Sequence, residues 1–205
     1  MNVYVESNFV LELALLQEQH AACESILQLC EAGELRLVLP AYSLAEPYEA
    51  LRRRHSDRKH LKISLEAQFR QLSRTAVYTD QLRGFESMTS LLVDSAEEDM
   101  RRLESVRARL LTCAELIPLE GSIFTRAVAY QTKHGLSAQD AVVYASIIVR
   151  LERSNQPPSC FLNRDAGFAD PDIVEELRLL GCKFLAGFEP GLQFLRRPPR
   201  EPISE

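Results

Sequence analysis

Apolar positions along the chain fall into short uninterrupted bursts separated by longer stretches with three- and four-residue spacing. Asn2 to Val5, uncharged and rich in β-branched and aromatic residues, predicts a buried strand. At Glu6, Ser7 and Asn8 it gives way to an apolar helix through Phe9, Val10, Leu11, Leu13, Leu15 and Leu16, with Ser7 or Asn8 as the expected N-cap. His20 to Ala32 repeats apolar residues at helical spacing and ends at Gly33, which suits a C-terminal cap. Leu35 to Leu39 predicts a second strand, closed by Pro40. Ser43 is placed to cap the next helix, with Glu46 in its first turn, because Pro47 is tolerated only near a helix start.

The stretch from His55 to about Thr112 changes in character. It is long and polar, with leucines at helical steps (Leu61, Leu65, Leu72; Leu103, Leu110), and predicts two helices broken near Tyr78 to Gly84 that form an antiparallel arm. Cys113 to Leu119 returns to a short apolar stretch, and a helix follows over about Gly121 to Lys133. Ser137 then caps a helix whose body, Ala141 to Val149, is nearly apolar all round and therefore central, with Asp140 at capping-box spacing. Ser159 to Leu162 is a further strand, followed by Asn163-Arg164-Asp165. Phe168 anchors a loop with Asp170 and Asp172, the latter a helix-start acid, before a helix stopped by Gly181 and a last strand over Cys182 to Leu185.

Strands alternating with helices, without hairpin signals, predict an α/β fold: a parallel-stranded sheet with helices on both faces and an inserted helical hairpin. The expected layout is one domain over 1–190, the insertion at about 55–112, and a flexible tail over 191–205. A chain of 205 residues with 46% hydrophobic residues supports one core of this kind.

Charge and cysteine usage narrow the class. The net charge of −5 argues against bulk attraction to nucleic acid but leaves room for a local basic face. Five cysteines without metal-ligand spacing read as buried thiols in a reducing compartment. The opening apolar run carries Glu6 and Glu12 and lacks the basic start of a secretory leader, and no run is long enough to span a membrane. A soluble, cytoplasmic protein without membrane partners is expected.

Four acids carry the candidate chemistry. Glu6 and Asp165 stand just past strand ends, Glu46 and Asp140 in first helical turns, so a parallel sheet can gather all four at its carboxyl edge. Three have a plainer reading: Glu6 as part of a helix start, Glu46 as a partner of the helix dipole, Asp140 as a cap. Asp140, at the head of a buried helix, is expected to be buried and to need a partner or a cation. Two carboxylates about 4 Å apart repel by roughly 4 kcal/mol at an effective dielectric of 20, so a cluster takes up protons or binds a cation. Oxygen ligands without His or Cys select Mg2+ or Mn2+. The run Arg52, Arg53, Arg54, Arg58, Lys59 and Lys62 either lines a phosphate-binding surface beside Glu46 or simply solubilises that face.

The segments YVESN, LAEPYEAL, GLSAQDAVVYASI and FLNRDAGF, in that order, resemble the PIN domain, a metal-dependent nuclease fold found in many bacterial toxins. The resemblance covers about residues 1–54 and 113–186. It implies that Glu6 takes the place of the family's first aspartate, with Asn8 at the neighbouring polar position, and that Glu46, Asp140 and Asp165 complete a four-carboxylate catalytic metal site. Asn163 stands where the family has Thr or Ser, and Glu6 is one methylene longer than the usual aspartate. The implied activity is Mg2+- or Mn2+-dependent endonucleolytic cleavage, of RNA ahead of DNA. Arg52, Arg53, Arg54, Arg58 and Lys59 would then guide phosphates. The arm is longer than in compact toxin-type members, so a toxin role is not assumed, and a homodimer and an antitoxin-like or other protein partner stay open. The alternative is a catalytically weak PIN-like binding or scaffold protein whose arm docks a partner, and Glu6 is the residue that favours it.

Overall fold

The computed structural model of the chain describes residues 1–78, 82, 85–153 and 157–196. Five short strands, β1 (Asn2–Tyr4), β2 (Arg36–Pro40), β3 (Ala114–Ile117), β4 (Ser159–Asn163) and β5 (Cys182–Ala186), form one sheet in the order β3-β2-β1-β4-β5. Every pairing is parallel, with Tyr4 opposite Val38 on one side and Phe161 on the other. The chain steps outward from β1 to β2 and β3, then crosses back to β4 on the opposite side of β1. That reversal leaves a crevice outside the carboxyl ends of the central strands.

Alternation along the strands assigns side chains to two faces. Val3, Val5, Leu37, Leu39, Cys160 and Leu162 enter one core with residues of α1 (Ser7–Leu15), α2 (His20–Glu31) and α8 (Phe188–Leu195). Tyr4, Val38 and Phe161 enter the other, with α5 (Gly121–His134), α6 (Ala138–Glu152) and α7 (Pro171–Leu179). Helices thus cover both faces, as the apolar central residues of the strands require.

The structure revises several local expectations. Residue Glu6, in extended conformation at the N-cap position, begins α1, so neither Ser7 nor Asn8 is the cap. The helix after β2, α3 (Tyr42–Leu72), starts from Ala41, whose N–H is taken by Ile117 O at 2.9 Å; Ser43 lies inside the helix, fully buried. Because β3 fixes this earlier start, Glu46 falls in the second turn rather than the first.

No break separates α3 from the arm: the helix runs 31 residues, straight through His55. It returns as α4 (Phe85–Cys113), and the expected break at Tyr78 to Gly84 lies partly outside the described residues. The two helices are tied by Arg58, whose Nη1 donates to Ser95 Oγ and Asp99 Oδ2, both at 3.1 Å, and by Phe69 against Phe85 at 4.6 Å. The lower half of α4 belongs to the core rather than to an appendage. Leu103, Val106 and Leu110 are buried in it, and Arg109 grips Glu24 and Glu31 of α2.

The expectation of a flexible tail from residue 191 is revised over its first residues. Residues 188–195 form α8, with Leu192, Phe194 and Leu195 packed on the first core, while 197–205 lie outside the described residues. A glycine at φ 66°, Gly135, ends α5 and turns the chain into α6, where a side chain would strain the backbone.

Candidate active site

Glu6 leaves the end of the central strand β1 and is 6% exposed. Its Oε1 is buried with no hydrogen-bond partner in the structure. Burial is the main cause that pushes its carboxyl up to about 8; the Asn8 backbone N–H pulls the other way, and Glu46, Asp140 and Asp165 push further up. Glu46 of α3, Asp140 of α6 and Asp165 past β4 thus lie near enough for their charges to act on the Glu6 carboxyl. Each is placed by its own element: Glu6 past β1, Glu46 from the helix after β2, Asp165 past β4, and Asp140 at the start of α6.

The other three acids are each held through one oxygen. Ser7 Oγ donates to Glu46 Oε2. Ser137 Oγ donates to Asp140 Oδ2 at 2.6 Å while accepting the Asp140 N–H at 3.1 Å, so Ser137 caps α6 as expected, but the carboxylate meets its hydroxyl rather than the backbone N–H of a capping box. Asp165 Oδ1 accepts the Gly167 N–H at 2.8 Å, and the Asp165 N–H is in turn donated to Asn163 Oδ1 at 2.7 Å. Among the described residues no hydrogen bond engages the second oxygen of Glu46, Asp140 or Asp165. Asp140 is half-buried, not buried as expected, because only the residues after it turn inward; Asp165 is exposed. Asn163 is fully buried, and its Nδ2 has no partner. Asn8 is half-buried and meets Glu6 through its backbone.

Among the described residues no three His, Cys, Asp or Glu side chains stand close enough to form a metal-holding cluster as they are. The donor set nonetheless fits a hard divalent cation. It is all oxygen, it leaves one oxygen of each acid uncommitted, and one of those, Glu6 Oε1, is buried and unpaired.

The basic run separates into parts. Arg52 and Arg53 line a groove of ≈ 490 Å³ beside Glu46, together with Tyr42 and Gln139. Arg52 also pairs with Glu49 at 3.1 Å. Arg54 and Lys59 are exposed elsewhere on α3, and Arg58 is turned onto α4.

The sequence pattern did not mark Ser7 as a holder of Glu46, and it offered Glu12 only as a charge in the opening apolar run. Glu12 is fully buried; its Oε2 accepts the Gln19 N–H at 2.9 Å and its Oε1 pairs with Arg164, the residue between Asn163 and Asp165. Its one signal is an acid set among Val10, Leu11, Leu13 and Ala14 in an otherwise apolar helix face.

A family model described as PIN domain matches residues 3–168, a span that contains all four acids and the α3–α4 hairpin. No curated protein matches the chain.

Proposed function

Since the chain belongs to the PIN domain family, a nuclease-type fold, we propose that it is a Mg2+- or Mn2+-dependent endonuclease that hydrolyses phosphodiester bonds, in RNA ahead of DNA. The observation that carries the reading is Glu6, a buried carboxyl with an unpaired oxygen, raised toward 8 in part by three acids from separate elements. Such an arrangement costs stability unless a cation or protons occupy it, and that cost points to function.

In this reading Glu6, Glu46, Asp140 and Asp165 hold the metal through their uncommitted oxygens. A hard divalent ion bound there supplies an activated water and stabilises the leaving oxygen. Ser7, Ser137 and the Gly167 N–H fix three of the four carboxylates in advance, so less rotamer freedom is lost on binding. Asn163 holds the backbone of Asp165. Arg52 and Arg53 are placed to take phosphates flanking the scissile one, Arg54 and Lys59 add exposed positive charge along α3, and Arg58 serves the hairpin. The test is cleavage of a generic single-stranded RNA with Mn2+, with chelator, and by the Glu46→Gln/Asp140→Asn double variant. Cleavage is expected with Mn2+ alone; cleavage that persists in the double variant, or none by the wild type, overturns the reading.

One observation favours a binding or scaffold role instead. The distal arm exposes Val77, Met88 and Leu91, each by 65% or more, a surface for a second copy or an antitoxin-like protein. A stoichiometric complex lost on mutating these three, without metal-dependent cleavage, selects that role.

A further inference from the structure

Glu176 on α7 gathers three polar side chains from the end of α5. Tyr130 Oη donates to it at 3.2 Å, Lys133 Nζ at 2.6 Å, and His134 Nε2 lies 3.2 Å from its Oε2. Burial alone would raise this carboxyl, but the Lys133, His134 and Tyr130 contacts outweigh it and hold it below its ordinary range, so it stays an acceptor. Lys133 is more than half exposed, whereas the His134 side chain is 1% exposed. The His134 ring is stacked on Tyr130 at 5.7 Å and stands edge-on to Tyr144 at 5.6 Å, which fixes its plane as well as its nitrogen.

Only Gly135, Leu136 and Ser137 separate His134 from α6, so the placement of the ring passes to them with little slack. Ser137 holds Asp140 through Oδ2. Leu136 is buried in the second core, and its Cδ2 stands 3.9 Å from where a Cβ on Gly167 would lie; the Gly167 N–H holds Asp165. Tyr144, one turn after Asp140, packs between the His134 ring and Phe168, the residue after Gly167, whose ring centre is 6.4 Å away. One three-residue connection thus borders the supports of two of the four acids, and His134 ties its start to α7. Packing alone does not call for this tie. Apolar side chains would hold α5 on α7 without burying a ring nitrogen against a carboxylate, a contact that adds little net stability and chiefly fixes geometry.

We propose that His134 is a positioning residue: with its Nε2 fixed on Glu176, it sets the 135–137 connection so that the uncommitted oxygens of Asp140 and Asp165 meet the same cation. The inference rests on the metal-site reading of those acids and adds two residues, His134 and Glu176, that touch neither metal nor substrate.

The experiment is Mn2+ binding, read by the loss of the free-ion signal in electron paramagnetic resonance, with melting temperature in chelator measured beside it. His134→Phe keeps the ring stack and removes the donor. His134→Gln keeps an N–H near the Nε2 position and gives up the ring. Glu176→Leu removes the acceptor from the other helix. His134→Phe and Glu176→Leu are each expected to bind Mn2+ about tenfold or more weakly, the usual cost of losing a partner behind a ligand. The two together should bind no more weakly than either alone, because they break one contact. His134→Gln should stay close to wild type. A lower melting temperature in His134→Phe with wild-type Mn2+ affinity marks a merely structural tie and overturns the proposal. So does His134→Gln binding as poorly as His134→Phe, or additive losses in the double variant. Glu176→Leu carries the test if His134→Phe does not fold. A wild type that binds no Mn2+ overturns the metal-site reading and the proposal together, whereas wild-type binding with indifferent variants sinks the proposal alone.

Discussion

Arg164 reaches from the loop after β4 to Glu12 on α1 and closes an ion pair over a carboxylate that solvent does not reach. The pair joins the segment that carries Asp165 to the helix that begins at Glu6. Gln19, whose N–H is donated to Glu12, extends the tie to α8 by accepting the Phe188 N–H at 2.6 Å. Two acids of the crevice are thereby held in register by residues that are not among them.

The two ends of this pair are unequal, and their variants should differ. Arg164→Met strands a fully buried carboxylate, expected to cost about 3 kcal/mol. Glu12→Gln leaves a guanidinium that is 38% exposed and already lies 3.4 Å from Glu18, so a smaller loss of about 1 kcal/mol is expected. Urea unfolding of both variants checks the order; Glu12→Gln as the more damaging change would mean the pair does not carry the contact.

Glu6 sets a pH dependence whose sign follows from its raised pKa. Between the ordinary 4.5 and about 8 the folded chain keeps a proton that the unfolded chain releases, so stability is full below 4.5 and falls as pH rises through 8. In chelator the loss should amount to a few kcal/mol at most, at 1.36 kcal/mol per unit. Glu6→Gln, which cannot ionise, should remove most of the decline. Thermal melts from pH 5 to pH 9 read it directly, and a parallel fall in both proteins would place the effect elsewhere.

Asp140 is the acid to use for metal linkage, since its cap survives the change to Asn. Its Oδ2 accepts from Ser137, which an amide oxygen also does. Saturating Mn2+ should raise the wild-type melting temperature by several degrees, at roughly 2–4 °C per kcal/mol for a chain of this size. Asp140→Asn should gain much less. Equal shifts in both would remove Asp140 from the ligand set.

Truncation should show where the hairpin ends and the core begins. Removing 63–91 and closing the helices with a short turn spares the Arg58–Asp99 tie and the buried Leu103, Val106 and Leu110. That protein should fold, with far-ultraviolet circular dichroism and a cooperative melt. Removing 55–112 deletes three core side chains, each of whose loss costs on the order of 2–5 kcal/mol, and should yield insoluble chain.

The sequence by itself determined the layered α/β plan and which acids could meet. Short, mainly apolar strands, each followed by a helix, admit few arrangements except a parallel sheet covered on both faces, and such sheets present their strand ends at one edge. Glu6 was expected there because it directly follows an apolar burst, and Asp165 because it comes three residues after one. What needed the tertiary structure were relations that local pattern does not encode. The start of α3 at Tyr42, with Ser43 inside, is decided by Ile117 taking the Ala41 N–H across the sheet. The continuity of α3 past His55 depends on α4 lying against it, since its exposed face offers no apolar periodicity strong enough to mark the join. The short α8 forms where Gln19 caps it from 169 residues away. Glu12 looked like an interruption in an apolar helix until Arg164 arrived from the far end of the chain. Long-range partners decide such sites, because a buried polar group is stable only where another element brings its complement.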